Sequence, residues 1–236
     1  MLEKPEDNEL SKIENNNITT EPGKIIILNG APRSGKSSIA SVIQQNFEGI
    51  WMNLGVDKFM SMIPKKFLPG IGVRPGGERP DLEPVIVDMY HAMYESVAVH
   101  SRSGLNVVVD VGHHDNYSVP RGILYECARI LKGLPVLFVG IRCPLDEIMR
   151  RREETGYKGF DESGDIPTPI LLWQKFVHIP GIYDLEVDTS THTSQQCAEL
   201  IYKRLLSATP TTAFNQLAKY NKSDRFYNEG VNSAKI

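Results

Sequence analysis

The apolar run Lys24-Ile25-Ile26-Ile27-Leu28 ends at Asn29 and opens directly into Gly30-Ala31-Pro32-Arg33-Ser34-Gly35-Lys36-Ser37, after which an amphipathic segment runs from Lys36 to Gln45. Nothing else in the chain constrains its fold as strongly. A continuous β-branched run closed by a turn reads as a buried strand. A glycine, four residues and Gly-Lys-Ser, set between a strand and a helix, read as a phosphate-binding loop. Glycine lets successive amides turn inward around an anion. The helix that follows points its positive end at the same place. Lys36 is expected to reach the β- and γ-phosphates, and Ser37 to offer its hydroxyl to Mg²⁺. Ser34 and Ser38 complete the loop and the first helical turn, so the expected nucleotide contacts run from Gly30 to Ser38.

Further short strands follow, at Gly49 to Leu54, Asn106 to Val111, Leu134 to Ile141 and Ile182 to Val187. Between them lie helical patterns at Leu82 to His100, Val119 to Leu131, Leu145 to Arg152 and onward from Thr193, where Thr193 and Gln196 have capping-box spacing. This alternation implies an α/β fold in three layers, a five-stranded parallel sheet with helices on both faces. The 236 residues suit one domain with tails. Residues 1–22 read as a flexible leader, 23–207 as the folded domain and 208–236 as a polar C-terminal tail. A Pro/Gly-rich stretch from Ser61 to Pro84 is long enough to suggest a functional loop.

The net charge of −3 offers no basic stripe for nucleic acid. The longest useful apolar run, Leu134 to Ile141, is too short to cross a bilayer. The acidic, Asn-rich start lacks the pattern of a signal peptide. Cys127, Cys143 and Cys197 show neither zinc nor disulfide spacing. A cytoplasmic protein without membrane or nucleic-acid partners is therefore expected; the sequence specifies no oligomeric state.

Val107-Val108-Val109-Asp110 is an apolar strand ending in a carboxylate. Beside a phosphate loop, that carboxylate is expected to hold Mg²⁺, often through water. Gly112-His113-His114-Asp115 follows. Adjacent histidines rarely point the same way, so Gly112 and His113 are read as lining the crevice at the carboxyl end of the sheet rather than as metal ligands. Asp57, just after the second strand, falls on the same edge. Arg150, Arg151 and Arg152 end a helix, either as a basic lid over the nucleotide or as a solvated end that complements the helix dipole. Asn221-Lys222-Ser223-Asp224 matches the guanine-reading letters of GTPases, but it follows no buried strand.

Five segments together resemble the chloramphenicol phosphotransferases: Ile25 to Gly30 with its Gly-Lys-Ser, Gly55-Val56-Asp57, Val107 to Asp110, Val139-Gly140-Ile141-Arg142-Cys143, and Val177-His178 to Tyr183 through Thr189. They occur in that family's order between about Lys24 and Leu206. The resemblance implies the P-loop kinase fold and transfer of phosphate from ATP, with Mg²⁺, to a hydroxyl of a small molecule. That acceptor would be a chloramphenicol-like antibiotic or another metabolite. It also implies that Asp57 is the proton acceptor, that Arg142 lies in the nucleotide or phosphate region, and that Thr189 leads into a loop beside the adenine. For His178, Tyr183 and Asp184, packing and hydrogen bonding are the expected roles. The lid departs from the family, which leaves Lys158, Arg150 or Arg151 as its cation. Two alternatives stay open: another small-molecule or nucleotide kinase (adenylylsulfate, nucleoside or sugar-nucleotide), and a nucleotide-dependent switch protein.

Overall fold

A computed structural model describes residues 21–68, 72–156, 160, 161 and 163–220. Five parallel strands form one sheet: β1 (Ile25–Asn29), β2 (Trp51–Asn53), β3 (Asn106–Val111), β4 (Val136–Arg142) and β5 (Leu185–Asp188), in the order β2-β3-β1-β4-β5. The helices are α1 (Lys36–Asn46), α2 (Val56–Ser61), α3 (Glu83–Arg102), α4 (Ile123–Ile130), α5 (Leu145–Glu154), α6 (Thr168–Phe176), α7 (Ser194–Leu205) and α8 (Ala213–Leu217).

The period of two along each strand sorts its side chains between two cores. Ile25, Ile27, Val107, Val109, Val111, Val136 and Phe138 face one layer, with α3, α4 and α8. Ile26, Leu28, Val108, Leu137, Val139 and Ile141 face the other, with α1 and α7. All five residues of β1 are buried, which is why its sequence is continuously apolar up to Asn29. β1 sits between β3 and β4, so the chain reverses direction across the sheet there. Open parallel sheets bind ligands at the carboxyl end of such a point.

Three local expectations change. The helix read from Val119 begins at Ile123, because Pro120 and Gly122, at φ 69°, hold the chain outside helical geometry. α2 and α6 were not visible in the sequence pattern. The polar tail does not begin at 208: Ala213, Phe214 and Leu217 of α8 are buried against α4 and β4. The Asn221 to Asp224 match lies outside the described residues. No helix among the described residues is long and apolar enough to cross a membrane.

Candidate active site

The phosphate loop leaves β1 through Asn29, which is 1% exposed. Its amide Nδ2 donates to the Val177 carbonyl and the Tyr183 hydroxyl, each at 2.8 Å, and its Oδ1 accepts from the His113 amide at 2.7 Å. Asn29 thereby ties the ends of β1 and β3 to the segment that follows α6. A Cβ at Gly30 would come within 2.6 Å of the Ile141 carbonyl. Gly35, at φ 90°, turns the chain into α1, and Arg33 is likewise left-handed at φ 68°. With no acidic side chain in its first turn, α1 presents its amide end to the loop.

Lys36 Nζ donates to the Ala31 carbonyl at 2.8 Å. Burial pushes its amine down to about 8, against the pull of Asp110 and Asp57. Ser37 Oγ donates to Asp110 Oδ2 at 2.7 Å across the gap between α1 and β3. Asp110 shares the side of the sheet that Val108 turns toward α1, which brings it over Ser37. Asp57 lies in the first turn of α2. Gly55, just before, is bare for a reason: a Cβ there would stand 1.7 Å from Asp110 Oδ1.

Lys36, Ser37, Asp57 and Asp110 open into one cleft of about 960 Å³, near the top of the range of about 300–1,000 Å³ typical of ligand sites. Gly30 to Arg33, Gly35 to Ser38, Asp57, Asp110, Gly112, Arg151 and Thr189 line it. Ser34 is buried beneath the loop, and its carbonyl accepts from Thr189 Oγ1 at 2.9 Å. Arg151 clasps three elements. It reaches Glu147 at 2.7 Å, the Thr189 hydroxyl at 3.0 Å and carbonyl at 2.6 Å, and the Arg33 carbonyl at 3.3 Å.

Three further expected contacts lie elsewhere. His113 is 2% exposed and does not line the cleft. Its parity continues that of Val109 and Val111 into the core under α3. There its Nε2 meets the Tyr94 hydroxyl at 2.7 Å, and its ring packs on Tyr90. Burial, reinforced by His114, pushes it down to about 3, so a neutral ring accepts from Tyr94. Arg142 shares the parity of Phe138, on the side away from α1. It pairs with Glu186 at 2.8 Å and sits over the Tyr183 ring. Arg150 turns outward to Glu147 and Glu154. Arg151 and Arg152 face the cleft instead. Lys158 lies outside the described residues.

The cleft also holds residues that sequence reasoning passed over. Trp173 of α6 covers Gly112 so closely that a Cβ on that glycine would meet its ring at 2.9 Å. Met60, Arg74, Tyr90, His192 and Ser194 contribute further wall. Tyr90 had a signal, its place on the apolar stripe of α3, and Arg74 lies in the Pro/Gly-rich stretch read as a functional loop; the others had none.

A central strand that runs into a phosphate loop, a second strand that ends in a carboxylate and a sheet in this order define the P-loop kinase fold. Two solved structures share it. One is a sugar kinase from Janibacter sp. HTCC2649, with a TM-score of 0.55 at 15% identity, covering 84% of this chain and 100% of that one. The other is the APS kinase CysC of Mycobacterium tuberculosis, with a TM-score of 0.52 at 16% identity, covering 79% of this chain and 99% of that one. The chloramphenicol phosphotransferase-like protein family matches residues 23–206, and the chain belongs to that family. It is therefore an O-phosphotransferase. A Mycobacterium tuberculosis H37Rv protein named "Putative O-phosphotransferase Rv2636" is 26% identical over 213 residues, 84% of this chain and 88% of that one.

Proposed function

We propose that the protein transfers the γ-phosphate of ATP to a hydroxyl of a small molecule. The observation that carries this reading is the convergence of Lys36, Asp57 and Asp110 on one cleft, with the charges of both carboxylates felt at the Lys36 amine. The amides of Gly30 to Ser37 and the first turn of α1 cradle the phosphates. Lys36 leaves the Ala31 carbonyl for the phosphate oxygens and meets the negative charge that spreads in transfer. The Ser37 hydroxyl and the Asp110 carboxylate are hard oxygen donors, the chemistry Mg²⁺ prefers beside phosphates. A magnesium ion held there would neutralise charge on the β- and γ-phosphates.

Asp57 accepts the acceptor's hydroxyl proton as the new O–P bond forms. The bond from the γ-phosphorus to the bridging oxygen breaks, and its electron pair stays on ADP. Arg151 and Arg152 of α5 and Trp173 of α6 border the reacting centre and help to exclude water, which would otherwise compete as acceptor.

Mass spectrometry of products from ATP, magnesium and a mixture of hydroxylated metabolites and antibiotics tests the reading. The family name makes chloramphenicol the first antibiotic to include. The expected product is one compound heavier by a phosphate. With that compound in hand, Asp57→Ala is expected to lower kcat by about 10²–10⁴-fold while ATP affinity stays nearly intact. Lys36→Ala is expected to weaken both. Unchanged turnover in Asp57→Ala would end the assignment of the base.

A further inference from the structure

The half of the cleft beyond Asp57 has its own chemistry. Its walls come from α2, the turn at 72–74, α3, the end of β3 and α6. Met60, Tyr90, Val111 and Trp173 make them apolar and aromatic. Asp110 is engaged with Ser37. Among the described residues of these walls, Arg74 is the one side-chain cation.

Arg74 sits on an anchored turn. Val73 before it is 1% exposed in the core under α3. The Val73 carbonyl accepts from Nε2 of buried His114 at 3.1 Å. Gly72 lies against Met60, where a Cβ would come within 2.6 Å of the sulfur. Beyond Arg74, the Gly76 amide donates to the Asn116 carbonyl at 2.8 Å. Gly77 seats on Ser118, and the fully buried Glu83 carboxylate holds the Ser118 amide at 2.6 Å and Arg121 at 2.9 Å. His114 thus braces the cleft wall. The Arg74 side chain itself is 60% exposed, and its ion pair with Glu78 is long, 3.8 Å. So exposed a pair exchanges readily for a better anion.

Resting on the phosphotransferase reading above, we propose that the acceptor is an alcohol that also carries an anionic group, a carboxylate, phosphate or sulfate, on a flat and largely apolar body. The hydroxyl faces Asp57, the body lies against Tyr90 and Trp173, and the anion meets Arg74. A guanidinium fork matches the paired oxygens of such anions. Its grip lies away from the reacting atoms and serves to orient the hydroxyl.

Calorimetry on the full-length protein loaded with AMPPNP and magnesium tests this with two near-isosteric probes, 4-(hydroxymethyl)benzoate and 4-(hydroxymethyl)benzamide. The benzoate is expected to bind about tenfold or more tightly, as loss of a charge-assisted pair would dictate. Arg74→Gln is expected to abolish that preference and leave the amide's affinity as it was; the exposed position makes the variant safe for folding. Equal affinities, no binding of either probe, or a preference that survives Arg74→Gln would overturn the inference. Loading with AMPPNP is measured first. Nucleotide binding without carboxylate preference defeats this inference alone, whereas no nucleotide binding defeats the phosphotransferase reading and this inference with it.

Discussion

At the scale of single residues, the site is organised by what stands next to Asp110. Gly55 has φ −120° and ψ 169°, a conformation alanine adopts without strain. Its missing side chain is therefore a matter of space, since a Cβ would overlap the Asp110 carboxylate at 1.7 Å. Gly55→Ala is expected to leave the fold intact and push that carboxylate off Ser37. The magnesium concentration for half-maximal turnover should rise about 10–100-fold, the usual cost of disturbing a ligand's support; a magnesium titration of turnover measures it. Lys36 offers a second test. Burial lowers its amine to about 8, and only the ammonium form attracts phosphate. The kcat/KM for ATP should therefore fall as pH rises through about 8. A bound triphosphate stabilises the ammonium, so nucleotide binding above that pH should take up protons. Calorimetry in buffers of different ionisation enthalpy reads the uptake directly, and Lys36→Arg, which cannot lose its charge, should abolish it.

The elements differ in how far their sequences announce them. β1, β3 and the phosphate loop were legible because burial on both faces leaves a continuous apolar run, and the loop's glycines answer to backbone geometry alone. The cap of α7 was legible too: the Thr193 hydroxyl accepts from the Gln196 amide at 3.2 Å, and the Gln196 side chain accepts from the Thr193 amide at 2.9 Å. Thr193→Ala is expected to cost about 0.5–2 kcal/mol in urea unfolding, with Thr193→Ser recovering most of it. α2 was not legible, because six residues hold too few turns for a period to show. α6 was hidden by Pro167 and Pro169 at its start, although proline is well placed in a first helical turn. The family resemblance implies Arg142 in the nucleotide region, and nearness in sequence to Asp110 puts His113 at the crevice. Arg142 closes β4 with the parity of Phe138, and His113 continues the alternation of β3 past its end, so both fall on the side away from α1, toward Tyr183 and Tyr94. That signal was present in the sequence. The Pro/Gly-rich stretch from Ser61 to Pro84 stands out as a loop, but nothing in it singles out Arg74, because the anchors of its turn, His114 and Asn116, come from a distant segment.

Across the whole molecule, residues 208–220 add a further piece to the packed layer under α4 and β4. Asp184 Oδ1 accepts from the Thr212 and Ala213 amides at 2.7 and 3.1 Å and starts α8, while its Oδ2 accepts from the Phe138 amide of β4 at 3.0 Å. Phe214 then packs edge-on against Phe138, with centroids 4.9 Å apart, and stacks on Tyr94 at 6.4 Å. Arg129 of α4 donates to the carbonyls of Ala218 and Tyr220 and holds the exit of this segment. The sequence looked like a tail because one short helix contributes only three buried residues among many polar ones. Energetically it is part of the core. Phe214→Ala should cost about 3–5 kcal/mol, a large share of the roughly 5–15 kcal/mol that holds a domain together. Phe214 does not line the cleft, so the KM for ATP should be unchanged at temperatures where the variant remains folded. Denaturant unfolding and turnover, measured on the same preparation, separate the two effects. An unchanged unfolding midpoint would mean that α8 does not contribute to the domain's stability, and a shifted KM at full folding would mean that this layer reaches the nucleotide after all.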